Sequence, residues 1–240
     1  GVDAAEGVVH VPEDLDDFMD IHRVAGYMHA AGDPREQLLR GTVDADVVVG
    51  RERVVCAVAD LDRLAATTAD AYGGIDILVN NAANPVAQPI GEITPEAFAK
   101  SFDVNVRGPL FLFQACLPHL LVSDHAAVVN VISAGAFLNT PGTSMYGAGK
   151  VALLHFTRSM AAEYASRGIR VNALAPGPVD TTMVRNTGPE RTASMARSNY
   201  MKRLAEPDEM VGGVLYMASD AGSFMTGQCL TVDGGMVPAR

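Results

Sequence analysis

The sequence predicts an α/β domain, a parallel β-sheet with helices packed on it. Three observations lead there. Residues 75–81, 126–132 and 169–175 form nearly continuous apolar runs instead of alternating ones, the pattern of strands buried on both faces of a parallel sheet. Longer segments of helical character stand between or beside them, at 61–72, 92–121 and 151–164. A chain of 240 residues suits one such domain or two small ones.

Residues 1–53 carry the weakest pattern. Gly7-Val-Val-His-Val11 reads as a short strand. Residues 12–31 have helical composition, with Leu15, Phe18, Met19, Ile21 and His22 on a partly apolar face. Pro12 and Asp14 fit the start of that helix. Gly32-Asp33-Pro34 breaks it, residues 35–40 add a helical turn or two, and Asp46-Val-Val-Val49 reads as a strand. Only Gly50, Arg51 and Glu52 separate Val49 from the next apolar run, 53–59. A parallel crossover needs about ten residues or more. Either a crossover helix is missing here or the two runs form a hairpin.

Further along, Leu61, Leu64 and Ala65 give segment 61–72 one apolar side, and Gly73-Gly74 ends it as a helix C-cap. Segment 92–121 opens with Thr94 as N-cap and Pro95 in the first helical position. Its apolar face takes in Phe98, Phe102, Val106, Leu110, Phe113 and Leu117. Asn105 falls in mid-helix, where asparagine competes for backbone hydrogen bonds. Pro176-Gly177-Pro178 must end the strand before it, since proline donates nothing to a ladder. Residues 180–206 keep no firm period and fit a flap over a substrate, with Met183, Met195, Tyr200, Met201 and Leu204 as its apolar underside. Pro207 opens a last helix, and 228–233 is the last strand.

Composition narrows the function classes. A hydrophobic content of 48% with 19% charged residues is that of a folded globule. The net charge of −10 argues against a nucleic-acid surface. Cys56, Cys116 and Cys229 sit singly in apolar runs, which fits buried thiols in a reducing compartment and no metal site. No apolar run reaches membrane-spanning length, and Gly1-Val-Asp-Ala-Ala-Glu6 lacks the features of a signal peptide. A cytoplasmic protein is expected.

The chemistry concentrates at Ser133 to Lys150. Tyr146 and Lys150 are four residues apart, on one face of a helix. A phenol loses its proton near pH 10, and an ammonium one turn away is expected to pull that value down. The pair is then a general acid/base for near-neutral pH. Ser133, at the end of the preceding strand, can bond the same substrate oxygen.

These residues stand with Asn80-Asn-Ala-Ala83, Val104-Asn-Val-Arg-Gly108, Pro176-Gly-Pro-Val-Asp-Thr181 and the closing Thr226-to-Gly235 stretch. In this order and spacing they resemble the short-chain dehydrogenase/reductase family in its single-domain form, from about Val54 to the C-terminus. The resemblance implies a Rossmann-like, doubly wound parallel sheet whose N-terminal βα units are irregular or incomplete. It implies an oxidoreductase that moves hydride between NAD(P) and an alcohol or ketone. Tyr146 would transfer the proton, Lys150 would lower its pKa and hold the nicotinamide ribose, Ser133 would orient the substrate, and Asn105 would hold a water on the proton path. Asn81 would brace the sheet, and Ala82 and Ala83 would let the cofactor ribose lie close. Residues 56–60 resemble the strand end beside the adenine, with Val58 at the cofactor and Ala57 where the family has an acidic residue. Pro176 and Gly177 would be cofactor-binding, the Val179 backbone would bond the nicotinamide amide, and Thr181 would stand near the phosphates.

The same resemblance implies a dimer or a dimer of dimers, paired through the helices near 96–121 and 145–166 and through the C-terminal edge. It departs at the glycine-rich turn, whose nearest counterpart is Ala25-Gly-Tyr-Met-His-Ala-Ala-Gly32, with Ala30 for the middle glycine. Arg51 stands near the position that reads the ribose 2′ group, and a cation there favours NADP over NAD. The rival reading is a pseudoenzyme, assembly partner or altered gene product that keeps the catalytic half but binds no dinucleotide.

Overall fold

In the computed structural model the described residues are 57–237, preceded by four strand segments of two residues each. β1 (Val2–Asp3) pairs antiparallel with β2 (Val8–Val9), and β3 (Val49–Gly50) pairs antiparallel with β4 (Arg53–Val54). Of the two alternatives for the Val49 region, the hairpin is the one observed. The remaining expectations for 10–48, including the helix at 12–31 and the turn at 25–32, lie outside the described residues.

Beyond the hairpin the chain departs from expectation. The sequence predicts a strand end at 56–60, but Val58 to Asp60 form the first turn of helix α1 (Val58–Tyr72). Ala57 is extended and serves as N-cap, and Asp60 sits where the helix dipole favours an anion. Leu61 and Ala65, one turn apart, are the buried pair that fixes the helical period. An apolar composition reads as strand or helix alike, and tertiary packing chose helix. At the other end Gly73 adopts φ 82° and its N–H closes the helix on Ala69 O, as expected of a glycine C-cap.

The main sheet is parallel, in the order β5 (Ile77–Asn80), β6 (Ala127–Val131), β7 (Arg170–Pro176), β8 (Cys229–Val232). Its two faces are used by alternate residues. Leu78, Val128 and Val171 pack with Leu61 of α1, with Leu112, Phe113, Cys116 and Leu120, and with Met160. Ile77, Val79, Val129, Val131 and Leu174 pack on the opposite side with Met210, Val214 and Met217 of helix α7 (Asp208–Ala218). Every residue of β5 and β6 is buried, which is why these runs show no polar alternation. Each fully buried Leu, Ile or Val here stabilises by about 1.5–3 kcal/mol relative to exposure.

Segment 92–121 is one helix only in outline. A 3-10 turn (Ile90–Glu92) precedes α2 (Pro95–Phe102), a π turn (Asp103–Arg107) comes next, and α3 (Gly108–Leu120) completes it. Thr94 caps α2 as expected, its hydroxyl accepting the Ala97 N–H at 3.2 Å. The break falls around Asn105 because its amide takes over backbone partners. Nδ2 donates to Ser101 O at 2.9 Å and to Asn84 O at 2.8 Å, and Oδ1 accepts the Asn84 N–H at 3.1 Å. Of the expected apolar face, Phe113 is buried, whereas Phe98 is 48% exposed and stacks on Phe102.

Sheet bracing belongs to Asn80, not Asn81. Asn80 Nδ2 donates to Asn130 Oδ1 at 2.8 Å, and Asn130 Nδ2 donates to Thr157 Oγ1 at 2.9 Å. Thr157 lies in helix α4 (Ser144–Tyr164), and its hydroxyl donates to Leu153 O. This relay ties the neighbouring strands β5 and β6 to the helix that carries Tyr146 and Lys150.

Candidate active site

The candidate site lies along the carboxyl end of the sheet, where ligands of open α/β sheets bind. Asn80 pairs with Asn130 and Asn130 with Ala173, so the ends of β5, β6 and β7 stand level. Asn81 and Ala82 therefore come just after β5, Ser133 just after β6, and Pro176, Gly177, Val179 and Thr181 lie at the end of β7 and beyond, all at one edge.

Ser133 has extended backbone and caps the 3-10 turn Ala134–Ala136, its Oγ accepting the Gly135 N–H at 3.0 Å. The chain then loops through Gly142, at φ 81°, into α4. Tyr146 falls in the first turn of α4, and its ring edge and Ser133 Oγ both flank Gly135, 3.7 Å and 3.3 Å from where a Cβ there would stand. Lys150, one turn on, is 1% exposed, and its Nζ donates to Val131 O at 2.9 Å. That Nζ lies 5.6 Å from the centre of the Tyr146 ring. Gly149 allows α4 to approach the π turn, since a Cβ there would stand 3.2 Å from Asn105 Cβ. Thus all four predicted catalytic residues are gathered around the start of one helix.

The electrostatics differ from the expectation. The Tyr146 phenol is pushed up, not down, because burial disfavours the phenolate, and the Ser133 side chain offsets only part of that. Burial also brings Lys150 down to about 7. Helical spacing correctly puts the two side chains on one face, but spacing says nothing of the solvent each loses. With its ammonium turned to the Val131 carbonyl, Lys150 does not supply the stabilisation the phenolate lacks.

The cofactor-side residues divide. Gly177 can only be glycine: a Cβ there would lie 2.7 Å from Asp233 Cα. Its N–H donates to Val232 O at 3.0 Å, continuing the β7–β8 ladder past Pro176. Val179 is buried and bridges to Ala205, and Thr181 N–H donates to Val179 O at 2.9 Å. Asn81 is 5% exposed, and its Nδ2 is a buried donor with no partner among the described residues. Lys150 has three N–H donors and one acceptor among the described residues. An unpartnered amide donor and an incompletely bonded ammonium at one sheet edge fit the hydroxyl-rich ribose end of a dinucleotide. Val58, also expected at the cofactor, lies in the first turn of α1 and is 36% exposed. Arg51 and the 25–32 turn lie outside the described residues.

Two residues escaped the sequence reading. Asn84, whose backbone clamps Asn105 from both sides, carried a faint signal as a third asparagine just past the Asn80-Asn81 pair. The Gly135 N–H carried none. In the flap, α5 (Thr182–Arg185) and α6 (Pro189–Arg197) are short helices. Met183, Met195 and Leu204 are half-buried as an underside would be, but Tyr200 and Met201 are 75% and 63% exposed. They turn outward because both backbone N–H groups are held by Gly234 O and the Tyr200 ring lies over Gly235. Among the described residues no His, Cys, Asp and Glu cluster could hold a metal ion, and no helix is long and apolar enough to cross a membrane.

Comparison with known proteins agrees with this architecture. The family model described as enoyl-(acyl carrier protein) reductase matches residues 25–237, so the likeness reaches back beyond Val54, across residues 25–32. Dehydrogenase/reductase SDR family member 4 from Homo sapiens is 40% identical over 192 residues, covering 78% of this chain and 69% of that protein. The cis-4-hydroxycyclohexanecarboxylate dehydrogenase of Sinomonas cyclohexanicum is 37% identical, covering 74% and 73%. The structure of Thermoplasma acidophilum aldohexose dehydrogenase superimposes with a TM-score of 0.72 at 29% identity, covering 78% of each chain.

Proposed function

Since the chain belongs to the short-chain dehydrogenase/reductase family, we propose that it moves a hydride between NAD(P) and the carbon of an alcohol or ketone. The observation that carries the reading is the closeness of Ser133 and Tyr146 at the carboxyl end of β6, both within 4 Å of where a Gly135 Cβ would stand, with Lys150 buried one turn behind. The relatives whose names speak of a hydroxycyclohexane carboxylate and an aldohexose support an alcohol or carbonyl substrate.

Bound nicotinamide supplies or accepts the hydride. In reduction, Tyr146 gives its hydroxyl proton to the carbonyl oxygen as the carbon is reduced, and in oxidation it takes that proton back. Ser133 holds the same oxygen in line. Lys150 and Asn81 offer their remaining donors to the ribose side, Pro176 and Gly177 border the nicotinamide, and the Val179 backbone and Thr181 hold its amide and the neighbouring phosphate. Asn105 fixes the loop after β5 through the Asn84 backbone. NADP is favoured over NAD on the strength of Arg51. The test is consumption of NADPH or NADH against a panel of ketones, repeated with Tyr146→Phe. No turnover with any member, or equal turnover by the variant, overturns the reading.

Assembly as a dimer or tetramer belongs to the same proposal. Phe98 and Val151, on the two long helical segments, and Tyr216 are about half exposed, and Phe224 near the C-terminal edge is fully exposed. Light scattering at micromolar protein that gives one chain mass would count against it. The singly placed thiols Cys116 and Cys229 support a reducing, cytoplasmic setting.

One observation favours a second reading. The β3–β4 hairpin stands where a nucleotide-binding fold has a crossover helix, and Val58, expected beside the adenine, lies in the first turn of α1. A chain with its catalytic half in place and no dinucleotide affinity would be a pseudoenzyme or assembly partner.

A further inference from the structure

Two glycines touch where the Ser133 turn meets α4. A Cβ on Gly147 would lie 3.1 Å from the carbonyl oxygen of Gly135. A Cβ on Gly135 would lie 3.3 Å from Ser133 Oγ and 3.7 Å from Tyr146 Cε1. Neither glycine has a positive φ, so conformational freedom explains neither. Helix propensity argues against glycine at 147, where alanine would be better by about 0.8–1 kcal/mol. What both positions require is space.

The turn also orients a proton. Gly135 N–H donates to Ser133 Oγ at 3.0 Å, occupying one lone pair of that hydroxyl. The same turn faces Tyr146, whose Cε1 lies 3.7 Å from where a Gly135 Cβ would stand. Moving Gly135 by a few tenths of an ångström shifts the group that holds Ser133 and so the separation of Ser133 and Tyr146.

We propose that Gly135 and Gly147 are positioning residues, whose missing side chains seat the Ser133 turn directly on α4 and set the distance between the Ser133 and Tyr146 hydroxyls. The inference rests on the proton-transfer role proposed for that pair.

The test is Gly147→Ala. Its thermal midpoint is expected to stay level or rise, because alanine favours the helix. The Gly135 amide, measured by hydrogen exchange on the protein alone, is expected to exchange roughly tenfold faster, the effect of about 1.4 kcal/mol lost from one hydrogen bond. Turnover of a ketone is expected to fall roughly tenfold by the same arithmetic, with KM nearly unchanged. Added to Ser133→Ala, the substitution should cost almost nothing more, since it acts through Ser133. Gly135→Ala, which keeps the N–H but adds a Cβ against both hydroxyl-bearing residues, should show the same loss of turnover and guards against a folding defect in the first variant. Parental amide exchange in Gly147→Ala, or a full additional loss on top of Ser133→Ala, overturns the inference. If the parent turns over no ketone, the hydride-transfer reading fails while the amide measurement still decides the positioning role.

Discussion

The Lys150 ammonium is bonded to the Val131 carbonyl at 2.9 Å and stands 5.6 Å from the ring centre of Tyr146. The second turn of α4 is thus anchored to β6 beneath it by a buried charge. Burial, more than the neighbouring phenol, decides how that charge titrates.

This has a signed consequence for stability. Lys150 titrates near 7 in the folded chain and near 10.5 when unfolded. Between these values the unfolded chain holds a proton that the folded chain lacks, so this group makes stability rise with pH across the window. Below about 7 the folded state bears the whole cost of the buried ammonium. Lys150→Met should therefore raise the melting temperature relative to the parent most below pH 7, with the advantage shrinking toward pH 10.5. Melting curves of the two proteins that run parallel over the whole window would refute it.

Tyr146→Phe removes one hydroxyl and nothing else. Folding should survive, and turnover of a ketone should fall by about 10²–10⁴-fold, the usual scale of a general acid. Ser133→Ala should cost less, because it removes an orienting bond and leaves the proton donor in place. Steady-state rates at saturating cofactor decide it, and an order reversed between the two variants would exchange their roles.

Asn105→Ala should act on the fold as well as the site. The amide satisfies both backbone groups of Asn84 and the carbonyl of Ser101, all near a fully buried position. Removing it leaves those groups without their partner, at a cost on the order of 2 kcal/mol or more. Urea denaturation should show that loss together with faster exchange of the Asn84 amide. A midpoint equal to the parent's would mean the π turn holds without its side chain.

Dinucleotide affinity is expected to be weak. Ala30 would put a Cβ where the middle glycine of the family turn lets phosphates approach. The β3–β4 hairpin leaves no crossover helix between Val49 and Val54. Calorimetry with NADP and NAD should give dissociation constants well above those of a member with all three glycines. A constant near micromolar for either would show that residues 1–53 build a phosphate site by other means.

Much of this protein could be read from local chemistry. Strands β5, β6 and β7 declared themselves as apolar runs because both faces are buried. Thr94 and Gly73 marked helix ends because caps are made by the cap residue and its own next or last turn. The four-residue spacing of Tyr146 and Lys150 put them on one face because helical geometry is the same in any context. Family motifs carried Asn105 and Ser133 to the same place.

What remained depended on partners distant in sequence. Val58 became helix because the preceding hairpin and the packing of Leu61 and Ala65 against the sheet overrode an ambiguous apolar run. Asn80 rather than Asn81 braces the sheet because only its side chain meets Asn130, 50 residues on. Tyr146 is pushed up and Lys150 down because desolvation is set by everything packed around them, and spacing holds no record of it. The contact of Gly135 with Gly147 belongs to the same class. It exists only where a turn and a helix meet, and no property of either glycine announces it.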